Sequence, residues 1–291
     1  MFEEKPSNYS LLVEENRVHK SVYYDPEIFD AEMEHIWGRA WIFIGHDSQV
    51  PNKGDFYTTE IGHVPVVMVR GNNEEVHVLH NRCGHKGAKV AGKKCGNVSG
   101  FRCPYHGWSY KLDGSLLGVP NAGGYKGTDF DIKDEQFSMT KVANVASVRG
   151  FIFASLSKDV PTIEEFLGDS IRTINNVADR APEGEIEIVG KPFRYEHDSN
   201  WKMFIENLND TMHPMVTHAS VGKAARSFLA DQPEGTKYPG EAEIIFPFGS
   251  SYKFFDDMKV TALNYGHSYV GGESSIHTAY SDIPDYIEAM N

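Results

Sequence analysis

An α+β chain of two domains is predicted by three observations. A helical stretch near the N-terminus gives way after Trp41 to short β-rich runs separated by turn residues. Helical texture returns at Thr162, and 291 residues is about two domains' worth of chain. Asp25 followed by Pro26 marks a helix start. Phe29, Met33, Ile36 and Trp37 then fall at i, i+4, i+7 and i+8, one face of an amphipathic helix. Strand-like runs follow at 41–45, 56–61, 64–70, 76–79, 108–112, 142–148 and 151–156. Their even spacing, with Gly and Asn between them, predicts an antiparallel β domain over 41–158. Thr162 and Glu165 have capping-box spacing for a helix extending to Ala181. Residues 185–199 alternate as a strand would, and Asn200 caps a second helix. Trp201, Phe204, Ile205, Leu208 and Met212 are the expected buried stripe of that helix. Pro284 opens a last short helix within 282–291. The expected division is 1–40, 41–158 and 159–291.

Composition narrows the function classes. Hydrophobic residues make up 40% of the chain, aromatic residues 12% and charged residues 24%, as in soluble globular proteins. A formal net charge of −13 argues against broad nucleic-acid or anionic-membrane binding. Three cysteines are too few, and odd in number, for a disulfide framework. No run has the apolar length of a membrane helix, and the acidic residues within 1–10 argue against a signal segment. These features predict a soluble, cytoplasmic protein.

Chemistry concentrates in two places. Cys83-Gly84-His85 is followed by Cys103-Pro104-Tyr105-His106. Two Cys-plus-His pairs in one β domain suit a tetrahedral zinc ion or a [2Fe-2S] cluster with mixed ligands. The spacing is unusual for zinc, and Gly84, Gly87, Pro104 and Gly107 let two loops pack closely over a cluster. The runs Cys-Gly-His-Lys-Gly-Ala at 83–88 and Cys-Pro-Tyr-His-Gly-Trp at 103–108 resemble the two cluster-binding loops of Rieske proteins. Ala88 and Tyr105 stand where respiratory members carry two further cysteines, so the resemblance is to the soluble type found in oxygenases and their ferredoxins. Cys95, between the pairs, reads as a spare thiol. Arg82, Lys86, Lys89, Lys93, Lys94, Arg102 and Lys111 face only one acid, Asp113, in the same stretch. That basic rim is suited to steering an acidic electron donor.

The second place lies in the helix predicted from Asn200. Glu206, Asp210 and His213 recur at i, i+4 and i+7, and Asp210 is close enough to reach His213. His218 is five residues further on, about 140° round a continuous helix, so the two imidazoles would diverge. Pro214 permits a kink that brings them onto one metal. Two imidazoles and a carboxylate with open positions form the facial triad of non-haem Fe(II) oxygenases.

Asn200-Trp201-Lys202 and the pattern E-N-x-x-D-x-x-H-x4-H resemble the mononuclear-iron motif of the Rieske oxygenase α subunits, the ring-hydroxylating dioxygenases and related monooxygenases. The resemblance implies a Rieske domain followed by a helix-grip (START-like) α+β catalytic domain, with residues 1–40 packing on the latter. It implies that Cys83, His85, Cys103 and His106 hold a [2Fe-2S] cluster and that His213 and His218 bind Fe(II). It places Asn207 and Asp210 among the catalytic residues, with Asp210 bridging His213 to His106 of a neighbouring subunit. Met212 departs from the pattern, which often has an aromatic residue there. The family's third iron ligand is an aspartate on a later helix. Asp256, Asp257, Asp282 and Asp285 lack its context, so the ligand is expected beyond Asn291 and the catalytic domain is expected to be incomplete. His267, Glu273 and His277 are read as surface or structural groups, and Phe204, Phe228, Phe246 and Phe248 mostly as core.

The implied activity is that of a terminal oxygenase, taking electrons from NAD(P)H through a flavin reductase, with or without a ferredoxin. It would hydroxylate a small aromatic substrate with O2 by cis-dihydroxylation; the alternative is a Rieske monooxygenase or demethylase. The implied assembly is a homotrimer or an α3β3 complex with a β subunit. An electron-transfer Rieske protein without a competent iron site is the reading if the chain is complete.

Overall fold

The structure, a computed structural model, describes residues 8–190, 192–236, 248–249 and 260–270. The chain divides into two units. The first comprises residues 1–163 and 186–193, the second 164–185 and 194–291.

A short antiparallel pair, β1 (Val13–Glu14) and β2 (Arg17–Val18), leads into α1 (Ser21–Tyr24) and α2 (Pro26–Glu32). Asp25 caps α2 by accepting the Glu27 N–H, and Pro26 takes the first helical position, where its missing donor costs nothing. A π-helical turn, Met33–Trp37, continues the helix. This segment groups with the β-rich unit: Phe29 lies 6.0 Å from the His63 ring.

The β-rich unit is built around an apolar run at 64–69. Val66, Val67, Met68 and Val69 are all fully buried, because alternate side chains enter two different cores. Val67 and Val69 join Leu79, Phe101, Trp108 and Tyr110 beneath the two Cys–His loops. Val66 and Met68 join Ile44, Val50, Ile61 and Ile152 on the other side. The strand order explains this. After β3 (Ile42–His46), β4 (Asp55–Ile61), β5 (Val64–Arg70), β6 (Val76–His80) and β7 (Cys95–Asn97) form an antiparallel sheet in the order β6-β5-β4-β7. A second sheet, β10-β9-β8, comprises β8 (Phe101–Arg102), β9 (Ser109–Tyr110) and β10 (Leu116–Gly118). The third, β11-β12-β3, pairs β11 (Asn144–Val148) and β12 (Phe151–Ser155) with β3.

In the second unit the single helix expected from Thr162 is broken. α3 (Ile163–Leu167) and α4 (Ile171–Ala178) are separated by a 3-10 turn beginning at Gly168, whose φ of +47° lies in the left-handed region. The strand expected at 185–199 is absent among the described residues of that segment. α5 (Trp201–Asn209) starts as expected, with Asn200 accepting the Lys202 N–H. Its expected buried stripe is not buried: Phe204, Ile205, Leu208 and Met212 are all exposed. Spacing places those residues on one face, but no described element covers it. α6 (Pro214–Thr217), α7 (Ala219–Ala230) and the hairpin β13 (Val260–Ala262)–β14 (Ser268–Val270) complete the unit. Phe204 and Phe228 are exposed rather than core, and Phe246 and the helix expected at 282–291 lie outside the described residues. Among the described residues, no helix is long and apolar enough to cross a membrane.

Candidate metal centres

The two Cys–His loops are the same turn made twice. In the first, Cys83 N–H donates to Ala88 O (2.9 Å) and Gly87 N–H donates back to Cys83 O (2.9 Å). In the second, Cys103 N–H donates to Trp108 O (2.8 Å) and Gly107 N–H to Cys103 O (3.0 Å). Each turn closes only if its glycine is left-handed; φ is +70° at Gly87 and +74° at Gly107. Asn81 holds the first loop from behind. It is fully buried, accepts the Val90 and Ala91 N–H groups and donates to Ala91 O.

The loops bring together four groups with metal-binding chemistry. Cys83 and Cys103 are buried free thiols. The rings of His85 and His106 are 4.9 Å apart. His85 stacks on Trp108 at 4.7 Å with the planes 7° apart, and its buried Nδ1 has no hydrogen-bond partner. Burial, with His106 and Lys86 adding to it, holds the His85 imidazole below its usual pKa. His106 is exposed and lies against the Tyr105 ring at 3.8 Å. Tyr110, fully buried, places its hydroxyl 3.0 Å from Cys83 Sγ and accepts the Gly84 N–H at 3.0 Å. Burial is the main cause that pushes the Tyr110 phenol far above its ordinary pKa, so it remains a donor.

This donor set fits a two-iron cluster. A single tetrahedral ion needs three or four ligands converging on one point, and among the described residues no such group of three occurs. A [2Fe-2S] cluster asks each iron for one pair, two thiolates on one and two imidazoles on the other. Sequence reasoning did not find Tyr110 or Asn81. The only signal for either is that a buried polar side chain demands a partner.

The second constellation is also assembled, by a different device from the one expected. α5 ends at Asp210, whose extended backbone (φ −87°, ψ 106°) breaks the helix before Pro214. Asp210 Oδ1 then accepts the N–H groups of Met212 (2.8 Å) and His213 (3.2 Å). Pro214 is therefore the first residue of a new helix rather than a kink in an old one. The break turns His213 and His218 towards each other, with ring centroids 5.3 Å apart. The His213 Nδ1 is buried without a hydrogen-bond partner and lies 3.5 Å from Asp210 Oδ2. The Met212 and His213 amides hold the Asp210 carboxyl below its usual pKa. Asn207 sits exposed on α5 and is not drawn into this arrangement. Two facing imidazoles fit part of an Fe(II) site, without a third protein ligand among the described residues. Asp256, Asp257, Asp282, Asp285, Glu273 and His277 lie outside the described residues. His267 packs edge-on against Phe166 at 4.7 Å, as a structural group would.

Residues 40–137, which carry both turns with their buried thiols and paired imidazoles, match the Rieske [2Fe-2S] domain. The chain is homologous to the α subunits of the aromatic ring-hydroxylating dioxygenases. It is 39% identical over 215 residues to the toluate 1,2-dioxygenase α subunit of Pseudomonas putida, covering 71% of this chain and 47% of that protein. It is 37% identical to the anthranilate 1,2-dioxygenase large subunit of Acinetobacter baylyi, covering 69% and 42%. Among solved structures, naphthalene 1,2-dioxygenase from Rhodococcus sp. bound to indole superposes with a TM-score of 0.67 at 36% identity, covering 71% of this chain and 46% of that one. The chain thus spans just under half the length of the curated relatives it matches.

Proposed function

We propose that this chain is the cluster-bearing and iron-binding part of a cytoplasmic terminal oxygenase that dihydroxylates an aromatic acid. The proposed parts are residues 1–40, a Rieske domain at 41–158 and a mononuclear-iron domain from 159 onwards. The observation that carries the reading is the pair of matched turns, with two buried thiols and a buried imidazole nitrogen left unpartnered. Cys83, His85, Cys103 and His106 would hold the [2Fe-2S] cluster, and His213 and His218 two positions on Fe(II). When bound, the cluster supplies one-electron transfer and the iron supplies O2 activation. The toluate and anthranilate relatives support an aromatic carboxylate as substrate.

The chain's own residues prepare both centres. Trp108 covers one face of His85. Tyr110 donates to the Cys83 sulfur, and Asn81 keeps the loop in register. Asp210 fixes the turn that aims His213 and supports the role of a neighbour that orients a metal-binding imidazole. The exposed cations Lys86, Lys89 and Lys93 support docking of an acidic ferredoxin or flavin reductase fed by NAD(P)H. The same homology supports a trimeric assembly, with or without a β subunit.

Tyr110→Phe is expected to lose about 1–3 kcal/mol of stability, since the Gly84 N–H and the buried Cys83 sulfur both lose a partner. Urea unfolding followed by cluster absorbance measures it. The functional test supplies reductase, NADH, benzoate or toluate and labelled O2 to the protein expressed from its uninterrupted gene. Two labelled oxygens in a cis-diol product are expected. One labelled oxygen, or loss of a methyl group, would assign a monooxygenase instead. NADH oxidation with no oxygen in any product would refute the oxygenase reading.

A further inference from the structure

Two arginines stand in equivalent places on the two cluster loops, and neither belongs to the donor set. Arg82 directly precedes Cys83, and Arg102 directly precedes Cys103. Each folds back across the left-handed glycine of its own turn. The Arg82 Nη2 lies 3.0 Å from where a Cβ on Gly87 would stand, and the Arg102 Nη2 lies 3.4 Å from the same point on Gly107. A Cβ at Gly87 would press on the Arg82 guanidinium, whereas one at Gly107 would crowd Pro120 Cγ at 3.0 Å and leave Arg102 at ordinary contact distance.

Both guanidiniums are exposed, and neither has a carboxylate partner among the described residues. Asp113 is the only acid between residues 80 and 113. Its carboxylate is taken up by the Ser115 N–H and hydroxyl, with Lys141 and Lys111 the cations that act on it. In a chain of net charge −13, these two positive charges therefore stand uncompensated on the two turns that carry the thiols and imidazoles.

We propose that Arg82 and Arg102 are a positioning pair of charges that raises the reduction potential of the cluster. This rests on the reading of Cys83, His85, Cys103 and His106 as its ligands. Two ferric ions, two sulfides and two thiolates carry no net charge together, and one electron from a reductant takes the group to −1 without making or breaking a bond. A fixed cation beside each loop is indifferent to the neutral state and attracts the reduced one. Because both charges are exposed, salt weakens the effect.

The test is a mediator-coupled redox titration of the purified holoprotein, which needs no protein partner. Arg82→Gln and Arg102→Gln should each lower the midpoint potential. The double variant should lower the equilibrium constant for reduction about tenfold, equivalent to about 59 mV for a one-electron couple. Arg82→Lys with Arg102→Lys should retain the wild-type potential, because the charge is kept. Raising ionic strength should lower the wild-type potential and shift the double glutamine variant less, since fewer cations, among them Lys86, Lys89 and Lys93, then remain beside the loops, a comparison that the wild-type salt series anchors even if a variant loads poorly. An unchanged potential in the double glutamine variant, an equal fall in the lysine variant, or a salt-independent wild-type potential would each overturn the proposal. Failure of the ligand reading is distinguishable: it would leave the wild-type protein without iron and sulfide, and so with no potential to titrate.

Discussion

Cys83→Ser and Cys103→Ser are each expected to abolish the visible absorption and the EPR signal of the reduced protein, and to leave it without bound iron and sulfide. Each thiol is buried and lies in a turn closed by its own backbone, so no other sulfur can take its place. Serine supplies a hydroxyl that remains protonated where a thiolate is needed, and the anionic charge that neutralises ferric iron is lost. Because metal-binding free energy is folding free energy, the loss should also lower the urea midpoint of the β-rich unit. Cys95→Ser is the control. That thiol is exposed on β7, outside both turns, and its replacement should leave cluster content and stability unchanged. A Cys83→Ser protein with full iron and sulfide would refute the ligand assignment at that position.

Trp108→Ala is expected to cost about 3–5 kcal/mol and to make the cluster labile in air. Trp108 is buried beneath the second loop, stacks on His85, and meets Phe130 at 5.8 Å and Phe137 at 6.0 Å. Truncation therefore removes the floor of one imidazole and the anchor of the 119–137 segment together. Trp108→Phe keeps a flat ring in the same space and should recover most of both properties. Chemical denaturation followed by cluster absorbance, with air-bleaching rates recorded alongside, gives both readouts. A loss below about 1 kcal/mol would show that the stack contributes little beyond its contacts.

The cluster loops were legible because their chemistry is local. Cys, His and Gly at fixed offsets specify a ligand set and the turns that present it, and the structure folds both runs as the same turn. β4, β5 and β6 were legible from their apolar and β-branched content. β8, β9 and β10 were not delimited, since two- or three-residue strands owe their existence to the partners they find rather than to their own propensity. The run at 185–199 misled because alternation is a pattern of residues, and a strand needs a neighbouring edge that this segment does not meet among the described residues. The helix break before His213 was foreseen but ascribed to Pro214. Its cause is the Asp210 carboxylate capturing the Met212 and His213 amides, which an aspartate inside a helical pattern does not announce.

The exposed row on α5 and the pair of facing imidazoles belong to one physical account. A helix that presents metal-binding groups at its end needs only its cap to aim them; covering its apolar side is a separate matter of packing. Asp210 does the first without the second. The β-rich unit, by contrast, fills both cores from its own strands, so its loops are supported by packing that is complete within the unit.

The most direct measurement of the central claim is the iron and acid-labile sulfide content of the purified protein, taken with its low-temperature EPR spectrum after dithionite reduction. The account predicts two irons and two sulfides held by the four loop ligands, with any further iron belonging to His213 and His218, and a rhombic signal that disappears in Cys83→Ser. A colourless, EPR-silent protein containing zinc and no sulfide would contradict it.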